Sequence, residues 1–162
     1  MTEQNFTTSF TVDRTPEEVF AAVTNVRGWW SENIRGKTEK AGDIFNYSFR
    51  DIHRCTVKIK TSIPGEKVVW NIMNAYFNFT KDPGEWKGTQ VIFDIRPKDG
   101  RTELTFTHDG LVPDHECFEV CTAGWTTYVN GSLRDLILTG KGQPNVGEPR
   151  NDTERALAEE TA

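Results

Sequence analysis

Of the three histidines in this 162-residue chain, His108 has the placement that chemistry needs. It ends a run in which Leu104, Phe106 and His108 alternate with Glu103, Thr105 and Thr107. That parity turns the imidazole inward at a strand end. There it could bind a ligand oxygen or act as an acid or base near neutral pH. Its plainer role is a hydrogen bond to the loop that follows. Tyr47, Tyr128 and Ser132 could add the few convergent polar groups that small-molecule pockets use. Cys117 and Cys121 lie at i,i+4 and suggest a metal site with His115 or His108. No second ligand pair has metal spacing, and free cysteines are commonly buried. The pair therefore reads as core filling, and no metal is expected. No base partner is identifiable that would make Cys117 a nucleophile. Gly140-Lys141-Gly142 follows a helix, whereas a phosphate loop precedes one. There is no serine nucleophile elbow. His53 and Arg54 fall beside a turn and read as surface residues, and His115 reads as exposed. Glu17 and Glu18 read as helix caps.

The elements that must position these groups are legible from spacing. Phe6, Thr8, Phe10 and Val12 share one face of a first strand. Thr15-Pro16-Glu17-Glu18 starts a short helix with a capping box and buries Val19, Phe20 and Val23. Asn25 to Gly28 breaks it, and Trp29-Trp30 opens a second short helical segment or tight loop that closes near Gly36. Strands follow in which Phe45, Tyr47 and Phe49, then Cys55, Val57 and Ile59, alternate with polar neighbours, and Val68, Trp70 and Ile72 alternate with Val69, Asn71 and Met73. Pro64-Gly65 marks one turn. Val91, Phe93 and Ile95 lead to an Asp99-Gly100 hairpin and the return strand that ends at His108. Last comes one long amphipathic helix, Asp114 to Gly140, with Asp114 as its N-cap. Its inward stripe holds Cys117, Phe118, Cys121, Trp125, Tyr128, Ser132 and Leu136. A purely structural stripe would more usually be filled with Leu, Ile and Val, so the mixture points to a cavity. Gly124 removes a side chain beside Trp125 and permits close approach. Residues from 143 onward are rich in Pro, Gly and charge and read as a mobile tail, with Glu154 to Glu160 a marginal surface helix.

Composition bounds the partners. The length fits one domain, taken as residues 1–142. The formal charge is −5 with both signs interspersed, and no basic stripe appears, so no nucleic acid is expected. No apolar run approaches a membrane span, and MTEQNFTTSF lacks the basic and apolar regions of a signal peptide. Three cysteines are an odd number for a disulfide framework. A cytoplasmic setting is expected.

The pattern of these residues resembles the START-related superfamily, also called SRPBCC, with the helix-grip fold. Within it the chain resembles bacterial homologues of the activator of heat-shock protein 90 ATPase. The resemblance is carried by Thr15-Pro16-Glu17-Glu18-Val19-Phe20, Trp29-Trp30, Val69-Trp70, Trp86 with Gly88-Thr89, and Thr105-Phe106-Thr107-His108-Asp109-Gly110-Leu111. Cys117, Cys121, Gly124-Trp125, Tyr128, Ser132-Leu133 and Gly140-Lys141-Gly142 complete it. It implies an α+β fold, with a curved antiparallel sheet of six or seven strands around a long C-terminal helix and two short helices after the first strand. It also implies a cavity between sheet and helix, which superfamily members use for apolar molecules and a minority use as enzymes. The eukaryotic co-chaperone carries a further N-terminal docking region that this chain has no room for, so the family name is not read as an activity. The expected function is binding of a small apolar or aromatic molecule by Trp29, Phe45, Tyr47, Trp70, Phe93, Phe106, His108, Cys121, Trp125 and Tyr128. Two alternatives stand beside it: a cyclase- or hydrolase-like enzyme using His108, and a co-chaperone-like interaction protein. No cofactor is expected. A homodimer and a chaperone partner remain open.

Overall fold

The computed structural model describes residues 5–50, 52–78, 80–113, 115–146 and 154–156. The first strand β1 (Phe6–Val12) leads into α1 (Pro16–Thr24) and α2 (Val26–Trp29). Six strands follow: β2 (Ile34–Gly36), β3 (Ile44–Phe49), β4 (His53–Ile63), β5 (Lys67–Phe77), β6 (Gln90–Lys98) and β7 (Arg101–Asp109). All pair antiparallel in one curved sheet of order β1-β7-β6-β5-β4-β3-β2. The only non-sequential neighbours are β1 and β7, where Phe6 lies opposite His108 and Phe10 opposite Leu104.

Local chemistry explains the turns. The Thr15 hydroxyl accepts from the Glu18 backbone N–H while the Glu18 carboxylate accepts from the Thr15 N–H, a complete capping box. Asp99 and Gly100 both take positive φ, 51° and 79°. That is the backbone a two-residue hairpin needs to match the twist of its strands. Trp29 and Trp30 end α2, where the spacing predicts that they open a helix. The chain turns into α2 already at Asn25, with the Gly28 N–H donating to the Asn25 carbonyl at 2.9 Å.

The C-terminal helix runs over 118–139 and covers the sheet's apolar face. It is not uniform: α3 (Phe118–Trp125) gives way to π-helical turns over Thr126–Leu133 and then to α4 (Arg134–Thr139). Asp114, expected as the N-cap, lies outside the described residues. The helix begins later than expected, with Cys117 at its N-cap position. Its leading N–H groups are satisfied from a distance. The two carboxylate oxygens of Glu85, in the β5–β6 loop, accept from the Glu116 and Cys117 N–H groups at 2.9 and 3.0 Å.

The residues expected to start a mobile tail are instead packed. Asn145 is buried and pairs with Ser31 in a short parallel bridge. Its N–H donates to Trp30 O and its carbonyl accepts from Glu32 N, both at 2.9 Å. Gly142 makes this path possible, because a Cβ there would stand 2.4 Å from Gly28 O. Ser132 joins the same three segments, donating to Trp29 O at 2.8 Å and accepting from Gln143 N at 2.6 Å. Of the expected surface helix, Glu154 to Ala156 is helical and the remainder lies outside the described residues.

Candidate functional site

The inward parity of the strands fills most of the space between sheet and helix. Trp29, Phe45, Trp70, Phe93 and Phe106 are at most 1% exposed and pack on one another. Trp70 stacks on Trp29 with ring centroids 6.2 Å apart, and Phe45 and Phe93 meet its ring edge-on at 5.2 and 5.0 Å. These five expected binding residues are therefore core. Offset and edge-to-face packing gives each ring a stable place without a ligand. Trp29 also donates its indole N–H to Val23 O at 3.1 Å. Both members of the Trp29-Trp30 pair are buried, so neither ring is partly exposed at a lip.

His108 does not reach a cavity. The Trp125 indole N–H donates to its Nδ1 at 3.0 Å. Indole nitrogen can only donate, so Nδ1 carries the lone pair and Nε2 the proton. Nε2–H then donates to the Thr89 hydroxyl at 2.8 Å, which donates in turn to Trp86 O at 2.6 Å. The relay is closed, with every hydrogen used once. Burial, then the nearby His115, lowers the His108 pKa to about 3, so the ring stays neutral. With its lone pair and its proton both engaged, it has no acid–base role to offer a ligand. Its partners also differ from the backbone groups expected for a structural histidine.

The space that remains adjoins Trp86 and Trp125, whose rings also pack on His108, and lies between β3, β4, β5 and the junction of α3 with the π-helical turns. It encloses about 60 Å³. Of the expected binding residues, the fold brings Tyr47, Cys121, Trp125 and Tyr128 to its wall. Trp30, Phe49, Ile52, His53, Phe77, Trp86, Val120 and Gly124 complete the lining, with Glu154 at its edge. The walls are flat rings held by rings. Trp30 stacks on Tyr47 at 4.1 Å, and Trp86 stacks on Trp125 at 5.4 Å with only 8° between planes. Beyond its chain neighbours and the helix's own backbone, no atom of the described residues lies within 4 Å of the place a Gly124 Cβ would occupy.

His53 is the polar group this pocket adds, against the expectation of a surface residue. Its ring stacks on Phe77 at 4.3 Å and meets Trp86 and Tyr47 edge-on at 4.5 and 5.0 Å. Its Nε2 is buried and has no hydrogen-bond partner among the described residues. Burial, then His108, brings its pKa down to about 3, so it too is neutral. The Trp86 indole N–H has no oxygen or nitrogen acceptor and faces only the Cys121 sulfur, a weak one. Burial, then Cys117, pushes the Cys121 thiol up, and burial does the same to Cys55. Both stay protonated and inert. Tyr47 is raised by burial, then by Tyr128 and Glu154. At the edge, the Tyr128 hydroxyl accepts from Asn145 Nδ2 at 3.1 Å and donates to Glu154 Oε2 at 2.8 Å. Among the described residues no three His, Cys, Asp or Glu side chains converge as a metal site would require.

Two signals could have found His53 and Trp30. His53 shares strand parity with Cys55, Val57 and Ile59, and Trp30 stands beside a tryptophan already assigned inward. Trp86 sits in an irregular loop, where spacing carries no direction.

Solved structures share this architecture. A dimeric Aha1 from Colwellia psychrerythraea superposes with a TM-score of 0.68 at 23% identity, over 86% of this chain and 99% of that one. Protein MLL2253 from Mesorhizobium loti gives 0.66 at 16% identity, over 86% and 100%. DynU16, from the dynemicin biosynthetic locus, gives 0.62 at 20% identity, over 84% of this chain and 48% of that one. At these identities the likeness establishes the fold alone. No curated protein matches the chain. A family model, described as activator of Hsp90 ATPase homolog 1-like protein, matches residues 13–137, and with most of the chain inside that match the protein belongs to this family.

Proposed function

We propose that the protein binds a small aromatic molecule in the pocket between Trp30, Tyr47, His53, Trp86 and Trp125. The observation that carries this reading is the unpaired His53 Nε2 among aromatic walls. A buried polar atom without a partner costs roughly 1–3 kcal/mol, and a ligand's hydrogen-bonding group would recover it. The open space in front of Gly124 supports the same reading. The pocket holds about 60 Å³, against roughly 150 Å³ for a cavity that takes up benzene. A ligand therefore enters by displacing a group at the pocket's edge, and a single ring is the size that suits it. The setting proposed is the cytoplasm.

The test uses the fluorescence of the wall tryptophans. Titration of the full chain with benzyl alcohol is expected to give a saturable change that Gly124→Leu abolishes while leaving the thermal transition in place. No saturable change, or equal binding by Gly124→Leu, would sink the reading. The cyclase- or hydrolase-like alternative loses its acid–base group, since His108 is occupied on both nitrogens. The co-chaperone alternative rests on the family's description alone. A homodimer, as in the Colwellia protein, is proposed alongside and is read by light scattering of the purified chain.

A further inference from the structure

The edge of the pocket is held by the protein's own carboxylate. Tyr128 and Asn145 are 2% and 1% exposed, and neither is free to turn. Asn145 is fixed through its backbone to Trp30 and Glu32, and Tyr128 projects from the π-helical turns. Because Asn145 Nδ2 donates to the Tyr128 oxygen, the phenolic hydrogen is committed to pointing away from Asn145. It points at Glu154. The arrangement is a preorganised donor aimed at an acceptor, and the acceptor the chain supplies is a carboxylate oxygen. A hydrogen bond to a carboxylate is about twice as strong as a neutral one, and the Asn145 donor polarises the phenol further. Glu154 is the one acidic side chain lining the pocket among the described residues. It is carried on a short helical stretch, Glu154 to Ala156. The rest of the lining is aromatic or aliphatic, with neutral His53 and Tyr47 among the rings.

We propose that the ligand is a small monocyclic aromatic carboxylate, whose carboxylate replaces that of Glu154 on the Tyr128 hydroxyl while its ring lies between Trp30, Trp86 and Trp125. This rests on the pocket reading above and names the chemical class for it. Glu154 then acts as a tethered competitor. A tethered group presents itself at an effective concentration on the order of millimolar, and the free ligand sees only the fraction of molecules in which Glu154 has left. Removing the competing carboxylate raises that fraction without touching the wall. Displacement of Glu154 also supplies the space that the closed pocket lacks.

The experiment compares benzoate with benzyl alcohol, its neutral isostere in size, on the full-length wild type, on Glu154→Ala, and on Glu154→Ala with Tyr128→Phe. Tryptophan fluorescence is the readout. Glu154→Ala is expected to bind benzoate roughly tenfold or more tighter than the wild type, and to prefer benzoate to benzyl alcohol. Adding Tyr128→Phe should erase that preference. Equal benzoate affinity in wild type and Glu154→Ala overturns the proposal, as does a preference for benzyl alcohol in Glu154→Ala. In both cases benzyl alcohol binding would leave the pocket reading standing. Binding of neither probe by Glu154→Ala sinks both. Should the Tyr128→Phe chain fail to fold, the benzoate-to-benzyl-alcohol comparison in Glu154→Ala decides alone.

Discussion

At the scale of single residues, the two inward histidines have exchanged the roles their positions suggest. His108 looks like the chemical group and is structural. Its two nitrogens link the Trp125 indole to Thr89, which fixes the ring that forms part of the pocket wall. His108→Leu should leave the buried Trp125 indole N–H unsatisfied, while the Thr89 hydroxyl keeps its bond to Trp86 O. The expected loss is about 1–3 kcal/mol in urea unfolding, the cost of one orphaned group, and a loss below about 1 kcal/mol would contradict the relay. His53 looks like a surface group and, with Trp86, supplies the pocket's buried polar atoms that lack an oxygen or nitrogen partner among the described residues. Gly124 makes the converse point. It sits mid-helix with open space before it, so Gly124→Ala should stabilise the helix by up to about 1 kcal/mol while weakening ligand binding. A higher Tm with unchanged binding would show that the space is not the site.

At the scale of elements, the C-terminal helix departs most from its sequence pattern. The apolar spacing of 114–140 describes a continuous α-helix, yet the middle third winds as π. Local conditions favour this. Thr126 and Thr127 return their hydroxyls to the carbonyls of Thr122 and Ala123 at 2.7 and 3.0 Å, competing with the regular ladder, and Gly131 follows within the same turns. Such turns occur often at functional sites, and here they place Tyr128 at the pocket edge. The helix start depends on an element remote in sequence, the Glu85 carboxylate. Glu85→Ala should cost about 1–2 kcal/mol, the range of a lost cap, and should show in hydrogen exchange as early opening of the first turn of α3. Uniform protection across the helix would argue against that dependence.

At the scale of the whole molecule, the buried neutral histidines tie stability to pH. Both His53 and His108 have folded pKa values lowered to about 3 from an ordinary 6.5. Below 6.5 the unfolded chain takes up protons that the folded chain refuses. Stability contributed by keeping these rings neutral is therefore full above about pH 6.5, and it falls as the pH drops toward 3. Each ring contributes a slope of about 1.4 kcal/mol per pH unit across that window. Urea unfolding between pH 7 and pH 4 should show the decline, and His53→Phe should make it shallower by one histidine's share. An unchanged slope would mean that His53 reaches solvent and protonates in the folded state.

The sequence by itself determined the elements and their inward faces. Strand parity at Phe45, Val57, Trp70, Phe93 and Phe106 predicts which rings are buried, because alternation is a property of the backbone that needs no partner. The same holds for the capping box at Thr15 and the Asp99-Gly100 hairpin, whose chemistry is complete within a few residues. Only the tertiary structure decided which inward residues face a cavity and which face one another. Parity cannot distinguish these, since both point the same way. Trp29 and Trp70 fill space that Trp30 and Trp125 border. That division follows from how far the sheet curls and where α2 crosses it. The pocket edge was out of reach for the same reason. Tyr128 stands on the helix's periodic stripe, but its partners Asn145 and Glu154 lie in chain that carries no periodic signal, and Trp86 enters from an irregular loop. Their convergence is a fact of packing, recorded in three dimensions and in no spacing along the chain.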